Sequence, residues 1–368
     1  MIYNTIKEVF PHFFFNGVYK SGTELHSGNI NTTYHLICDD EGVARHYLLQ
    51  RVNTYVFKEP DCVMHNIARV TEHLRTRMLT GGLDPKRRVM ELIPTRSGSL
   101  MYKDSSGSIW RASSFITGAT AYDTVDSPAL FEEVGRAFGS FQRYLTDFPA
   151  DELYVTIPNF HNTKKRFFQL MRSVDEDVAG RVSEVDDELE FMFEHRRMMS
   201  AIVQQLEKGE LPLRVTHNDT KSNNVMVDDA TGKALCVVDL DTVMPGSALY
   251  DYGDAVRFGA STAAEDEPDI SKIALDMDKT EAFTRGFIEE TNGFLTENEL
   301  RQLPLGIKVL TCELAMRFLT DYLDGDCYFK VNSPTHNLVR ARAQIALFKD
   351  VERKEEKIQK MVDGLIRL

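Results

Sequence analysis

The sequence predicts an α+β chain in two lobes, a small β-rich one over residues 1–115 and a larger, mainly helical one over 116–368. Three observations carry this expectation. At 368 residues the chain is too long for one compact core of usual size. Its texture changes near residue 116, from short β-prone runs to helical periodicity. Between helical stretches of the second part lies Val215-Thr-His-Asn-Asp-Thr-Lys-Ser-Asn-Asn224, followed fifteen residues later by Asp239-Leu-Asp241, a strand–loop–hairpin pattern rich in carboxylates and amides.

The first lobe is assembled from β-prone runs at 18–24, 32–38, 46–51, 89–93, 99–102 and 109–115, punctuated by turn formers at Ser97-Gly98 and 105–107. One helix interrupts them at 62–74, with apolar positions at 63, 67, 70 and 74. Beyond 116 the helical patterns span 128–147, 164–174, 184–208, 276–291, 297–324 and 336–366. Residues 213–215 form a short strand entering the carboxylate-rich loop, 225–227 leave it, and 234–239 read as a buried strand ending in an acid. This order of elements is expected to bring Asn224 and Asp239 close enough to share one ion. No internal repeat or low-complexity segment interrupts the chain, and 263–269 is a short acidic loop.

Composition narrows the function. A hydrophobic content of 42% with 22 Phe supports a packed interior rather than disorder. The formal charge of −13 is spread along the chain, which disfavours a nucleic-acid partner because that needs a basic face. Five Cys without C-x-x-C spacing fit reduced thiols and a cytoplasmic setting. The N-terminus has no basic and apolar leader pattern, and no run approaches the ~18 apolar residues of a membrane span, so a soluble, unexported protein is expected.

The spacing His217-x-Asp219-x4-Asn224 offers a carboxylate to take a hydroxyl proton and an amide oxygen for Mg²⁺, the parts that Asp and Asn play in the catalytic loop of protein kinases. Asp239 stands where a second metal-binding carboxylate is needed. Mg²⁺ keeps several positions for water and phosphate, so two protein oxygens suffice. A β-rich lobe with one helix followed by a helical lobe carrying this loop is the protein-kinase-like bilobal arrangement. The turn Ser27-Gly28-Asn29 and the residues after it, to Thr33, suit backbone donors covering phosphates, with Gly28 permitting close approach; read alone, a Gly-Asn turn is only a reversal. Adenine is expected against the hinge, near Ser114, Phe115 and Ile116.

These residues carry a resemblance. The loop motif with Asp239-x-Asp241 is similar to the aminoglycoside phosphotransferase and choline kinase superfamily. The longer strings Arg214-Val-Thr-His-Asn-Asp-Thr-Lys221, Met244-Pro-Gly-Ser247, Gly253-Asp254, Arg257-Phe-Gly-Ala-Ser-Thr262, Met316-Arg-Phe-Leu319 and His336-Asn-Leu-Val-Arg340, with Ile30-Asn-Thr-Thr-Tyr34 in the first lobe, closely resemble the N-acetylhexosamine 1-kinases. The resemblance implies ATP-dependent, Mg²⁺-assisted phosphorylation of the anomeric hydroxyl of N-acetylglucosamine or N-acetylgalactosamine. It implies Asp219 as catalytic base in contact with the sugar, Asn224 and Asp239 as metal ligands, and Phe258, Arg317 and Tyr328 as sugar-binding residues.

Each site residue also has a plainer reading. Lys221 either reaches the transferring phosphoryl oxygens or is a solvated loop lysine. Asp241 either touches the metal secondarily or caps the turn 242–246. His217 is expected to hold its loop by hydrogen bonding, and Asp251 to buttress the same loop as an acceptor. Without the resemblance, Arg317 would be an i,i+4 partner of Asp321, and Phe258 and Tyr328 would be core residues. His161 has no assigned role. Two departures stand out: Gln50 and Asn66 occupy the places where protein kinases carry a strand Lys and its helix Glu, and Asn29 replaces a His that the family carries near the substrate. The alternatives are a kinase of another small hydroxylated metabolite or an aminoglycoside, or a non-catalytic nucleotide-binding scaffold.

Overall fold

The computed structural model describes residues 2–26 and 30–366, so Ser27, Gly28 and Asn29 lie outside the described residues. In chain order the elements are α1 (Ile2–Val9), β1 (Val18–Leu25), β2 (Thr32–Asp40), β3 (Val43–Arg51), α2 (Pro60–Thr80), β4 (Leu92–Ile93), β5 (Tyr102–Lys103), β6 (Ile109–Ser114) and β7 (Ala119–Ala121). Then follow α3 (Pro128–Tyr144), α4 (Thr163–Glu176), α5 (Asp186–Met199), α6 (Ala201–Lys208), β8 (Arg214–Thr216), β9 (Val225–Asp228), β10 (Ala234–Val237) and β11 (Met244–Gly246). The helices α7 (Ala248–Gly259), α8 (Met277–Thr291), α9 (Glu297–Arg301), α10 (Leu303–Leu323), α11 (His336–Arg353) and α12 (Glu355–Ile366) complete the chain. Among the described residues no helix is long and apolar enough to cross a membrane.

Two compact units result. The first comprises 1–121, 147–157 and 225–244; the second comprises 122–146, 158–224 and 245–368. In the first unit an antiparallel sheet runs in the order β1-β2-β3-β6-β4, with β5 also on β6. Alternation along its strands separates two faces. Tyr34, Leu36, Cys38, Tyr47, Leu49, Trp110 and Ala112 pack with Ile6 and Val9 of α1 into one buried cluster. The residues between them point the other way, and register sets Thr33 opposite Gln50 and Gln50 opposite Arg111 across three strands. A smaller sheet, β10-β9-β7, carries the chain toward Asp239. Asn66 on α2 is buried and fully used: its amide donates to the carbonyls of Tyr154 (2.8 Å) and Val243 (2.9 Å) and accepts from the Tyr154 N–H at 2.9 Å. It tethers the segment after Asp239 rather than standing in for a charged partner of Gln50.

The second unit is helical. One of its clusters joins α4, α5, α10 and α11 through Leu170, Met192, Met316, Phe318 and Phe348. A close crossing of α7 and α10 fixes the helix that supports the loop at 217–224. An added Cβ at Gly253 would lie 2.2 Å from the Gly306 carbonyl oxygen, and one at Gly306 would lie 2.4 Å from that of Leu249. Only glycine permits that separation. The helical patterns expected at 184–208, 297–324 and 336–366 are each divided, at Ser200, Gln302 and Lys354. Pro304 in the first turn of α10 explains the second break, since proline starts a helix but cannot continue one.

Candidate active site

In the second unit, β8 delivers the chain into a loop whose backbone is clamped from beneath by two carboxylates of α7. Asp251 is wholly buried and accepts the N–H groups of His217 (2.9 Å) and Asn218 (2.7 Å) and the Gln142 amide at 2.6 Å. Its own carbonyl accepts the Thr220 hydroxyl at 2.6 Å. Asp254 accepts the Thr220 N–H at 3.0 Å and is held by Arg257, which also pairs with Glu265 at 2.9 Å. Burial pushes the Asp251 pKa up against the pull of His217 and these donors. For Asp254 burial acts in the same direction, but Arg257 and then Lys221 outweigh it and hold the carboxyl below its ordinary value. Asn218 takes a left-handed conformation (φ 64°) at the turn. His217, wholly buried, sits edge-on between Phe138 and Phe141, and its Nδ1 accepts the Asp219 N–H at 3.3 Å. The expected roles of His217 and Asp251 as loop supports are therefore the ones the structure gives them.

This clamp leaves the Asp219 carboxylate partly exposed, with Lys221 paired to it at 3.1 Å. The charge of Asp219 raises the Lys221 pKa, against burial and with help from Asp254 and Glu265. Lys221 is thus not a freely solvated surface lysine; it sits on the Asp219 carboxylate. Asn224 donates its amide to the Asp219 carbonyl at 2.7 Å and, at 3.4 Å, to the carboxylate. That orientation leaves Oδ1 as the Asn224 atom available to a cation, so the residue fits a hard divalent ion.

A second buried group lies behind the loop. His161 Nδ1 is 3.0 Å from Glu313, and its Nε2 is 3.3 Å from the Asn218 carbonyl. Glu313 is buried, which by itself would raise its pKa; His161, then Arg317 and Arg166, reverse this and hold it low. One helical turn beyond Glu313 on α10, Arg317 lies over Phe160 (5.3 Å), Tyr328 (6.0 Å) and Phe329 (5.6 Å). It is not paired with Asp321. That carboxylate instead accepts the N–H groups of Tyr328 (2.7 Å) and Phe329 (2.9 Å) and the Asn337 amide, so the loop bearing Tyr328 is anchored to the helix bearing Arg317. No carboxylate is paired with Arg317 among the described residues. Tyr328 is exposed, unlike a core residue, and Phe258 is partly exposed near the end of α7, its ring 6.0 Å from the Arg257 guanidinium.

In the first unit, Asp239, two residues beyond β10, takes a left-handed conformation (φ 58°, ψ 59°), and a single turn of 3-10 helix, Leu240–Thr242, follows. Asp241 neither caps the next turn nor presents its carboxylate outward. Both of its oxygens are taken by Arg111 of β6, and Asn31 also donates to it at 2.7 Å. Arg111 was not singled out by sequence reasoning; the available signal was a lone Arg inside the buried strand run Ile109–Ser114. At the expected hinge, Phe115 gives its N–H to the His46 carbonyl at 3.1 Å, so that donor is already used. His35 stacks on that ring at 4.1 Å and lies 2.9 Å from His46, and Ile116 is buried beside it in sequence.

A model of the phosphotransferase enzyme family matches residues 21–283. The chain belongs to that family. Solved structures agree in fold. An aminoglycoside phosphotransferase from Alicyclobacillus acidocaldarius superposes with a TM-score of 0.61 at 12% identity, covering 97% of this chain and 96% of that one. An ethanolamine kinase from Plasmodium vivax gives 0.56 at 14% identity, covering 88% and 82%. A spectinomycin phosphotransferase in complex with ADP and spectinomycin gives 0.51 at 14% identity, covering 100% and 98%. At these identities the likeness establishes the protein-kinase-like α+β fold. The family membership makes the chain a phosphotransferase.

Proposed function

We propose that this phosphotransferase is an ATP-dependent sugar 1-kinase that phosphorylates the anomeric hydroxyl of N-acetylhexosamines. The observation that carries this reading is Arg317. It is framed by three aromatic rings with no paired carboxylate among the described residues, and it lies one turn from Glu313, which reaches the Asp219 loop through His161. A choline or aminoglycoside acceptor calls for an acidic or aromatic cage for its cation, whereas a guanidinium lying over the aromatic rings disfavours one. A neutral sugar with an acetamido carbonyl suits the Arg fork, an aromatic wall suits its apolar face, and Phe258 and Tyr328 are of the right type to supply it.

Asp219 would orient the anomeric hydroxyl and accept its proton late, since phosphoryl transfer proceeds through a loose transition state dominated by positioning and charge neutralisation. An anomeric hydroxyl is more acidic than an ordinary alcohol, which reduces the demand on the base. Lys221, already held by Asp219, fixes the carboxylate rotamer and places a cation beside the transferring group. Asn224 and Asp239 are the residues that would hold Mg²⁺, which when bound neutralises phosphate oxygens. Ser27, Gly28 and Asn29 are proposed to contact the phosphates, and Phe115 and Ile116 the base.

The test is ATP consumption with N-acetylglucosamine, N-acetylgalactosamine, galactose, choline and kanamycin as acceptors. Turnover concentrated on the two N-acetyl sugars is expected. Preference for choline or kanamycin would overturn the substrate assignment, and nucleotide binding without turnover of any acceptor would favour a scaffold.

A further inference from the structure

We propose that Arg111 is a positioning residue that uses Asp241 as a strut to fix the metal-binding turn at Asp239. This rests on the nucleotide and metal reading above. Arg111 and Asp241 are both buried, and the guanidinium meets the carboxylate with two nitrogens on two oxygens. Its third nitrogen, Nε, donates to Gln50 Oε1 at 3.0 Å, and the Gln50 amide passes the contact on to the Thr33 hydroxyl at 3.1 Å. From the other side, Asn31 donates to Asp241 at 2.7 Å and accepts the Asn53 N–H at 2.9 Å. Residues 31 and 33, which flank the first residue of β2, are therefore tied to the acidic loop by two separate routes.

The geometry settles a choice that the Asp239-x-Asp241 motif leaves open. With its oxygens occupied by Arg111 and Asn31, Asp241 has the bonding of a support, not of an outward metal ligand. Asp239 lies two residues away, across one turn of 3-10 helix. A left-handed non-glycine residue costs on the order of 1–3 kcal/mol and persists only where its surroundings over-determine it. The Arg111 fork on Asp241, and the Thr156 hydroxyl on the Asp241 carbonyl at 3.4 Å, provide that constraint. Arg111 also supplies buried positive charge in a sheet where Gln50 stands in place of a strand Lys. Burial works against its charge, yet Asp241 and then Asp239 hold its pKa above the ordinary value.

The experiment compares ADP affinity by calorimetry with and without Mn²⁺, and records the electron paramagnetic resonance spectrum of bound Mn²⁺, in the wild type, Arg111→Lys and Asn31→Ala. Lys keeps the charge that Asp241 needs in the interior but cannot reproduce the planar fork. Arg111→Lys is expected to fold, to keep metal-free ADP affinity within about threefold, and to lose about 10–100-fold of the Mn²⁺-dependent gain, the range seen when a partner orienting a metal ligand is removed. The Mn²⁺ spectrum should broaden, and Asn31→Ala should reproduce the effect more weakly. An unchanged Mn²⁺-dependent gain in folded Arg111→Lys, or an equal loss with and without metal, would overturn the positioning role. A wild type that binds ADP identically with and without Mn²⁺ would overturn the metal reading itself.

Discussion

Replacing Asp251 by Asn tests how the Asp219 loop is held. The wild-type carboxylate accepts three donors: His217 N–H and the Gln142 amide on one oxygen, Asn218 N–H on the other. An asparagine has a single acceptor oxygen. In either orientation its NH₂ must face at least one buried backbone N–H. If the amide oxygen stays on the His217 side, the Asn218 N–H loses its partner; if it turns, the His217 N–H does. An unsatisfied buried donor costs about 1–3 kcal/mol, and the surviving bonds lose the strengthening that an ionised acceptor gives. A loss of about 2–4 kcal/mol follows for the second unit, and at roughly 2–4 °C per kcal/mol for a domain of about 200 residues the melting temperature should fall by about 5–15 °C. Differential scanning calorimetry reads this directly. Because Asn218 precedes Asp219, the proposed base, kcat should fall as well, and by more than KM rises. A melting temperature within about 1 °C of wild type, together with unchanged kcat, would refute the clamp.

Asp219→Asn should reduce kcat by about 10²–10⁴-fold or more while ADP affinity stays within a few-fold, because the change removes the proton acceptor and not the nucleotide site; stopped-flow turnover and calorimetry check the two halves. Arg317→Ala should raise the KM for N-acetylglucosamine by about tenfold or more, the equivalent of one charge-assisted hydrogen bond, and Arg317→Lys should not restore it because the fork is lost. The pH dependence of stability should carry the signature of His35, whose pKa burial and then the His46 charge hold below 6.5. A histidine with a depressed folded pKa contributes stability that is present above 6.5 and is lost as pH falls through the folded value. Melting temperatures from pH 7.5 to 5 should therefore drop toward the acid end, and His35→Gln should flatten part of that slope; an unchanged slope would remove His35 from the account.

Much of the site was legible because it is local in sequence. The loop from His217 to Asn224 is one continuous stretch of sequence, and the carboxylates of α7 that hold it lie in another short stretch that reads as a helix start. The strands of the first unit were found within a few residues because apolar alternation and turn formers agree there. What escaped notice depends on contacts far apart in the chain. Arg111 and Asp241 are separated by 130 positions, and nothing near either residue names the other. Glu313 sits in an otherwise apolar run of α10, where a single acid reads as a helix irregularity until His161 is seen against it. The i,i+4 pairing of Arg317 with Asp321 was the plain expectation, and it fails because backbone N–H groups of the following loop offer Asp321 better partners.

The central claim is the identity of the oxygen that receives the phosphate. Phosphorus and carbon NMR of the product made from N-acetylglucosamine and ATP measures it directly. The account predicts a single phosphate ester whose phosphorus couples to the anomeric proton and to C1, formed with one ADP per sugar. A phosphate coupled to C3, C4 or C6, or ADP released as free phosphate accumulates without any sugar ester, would contradict it.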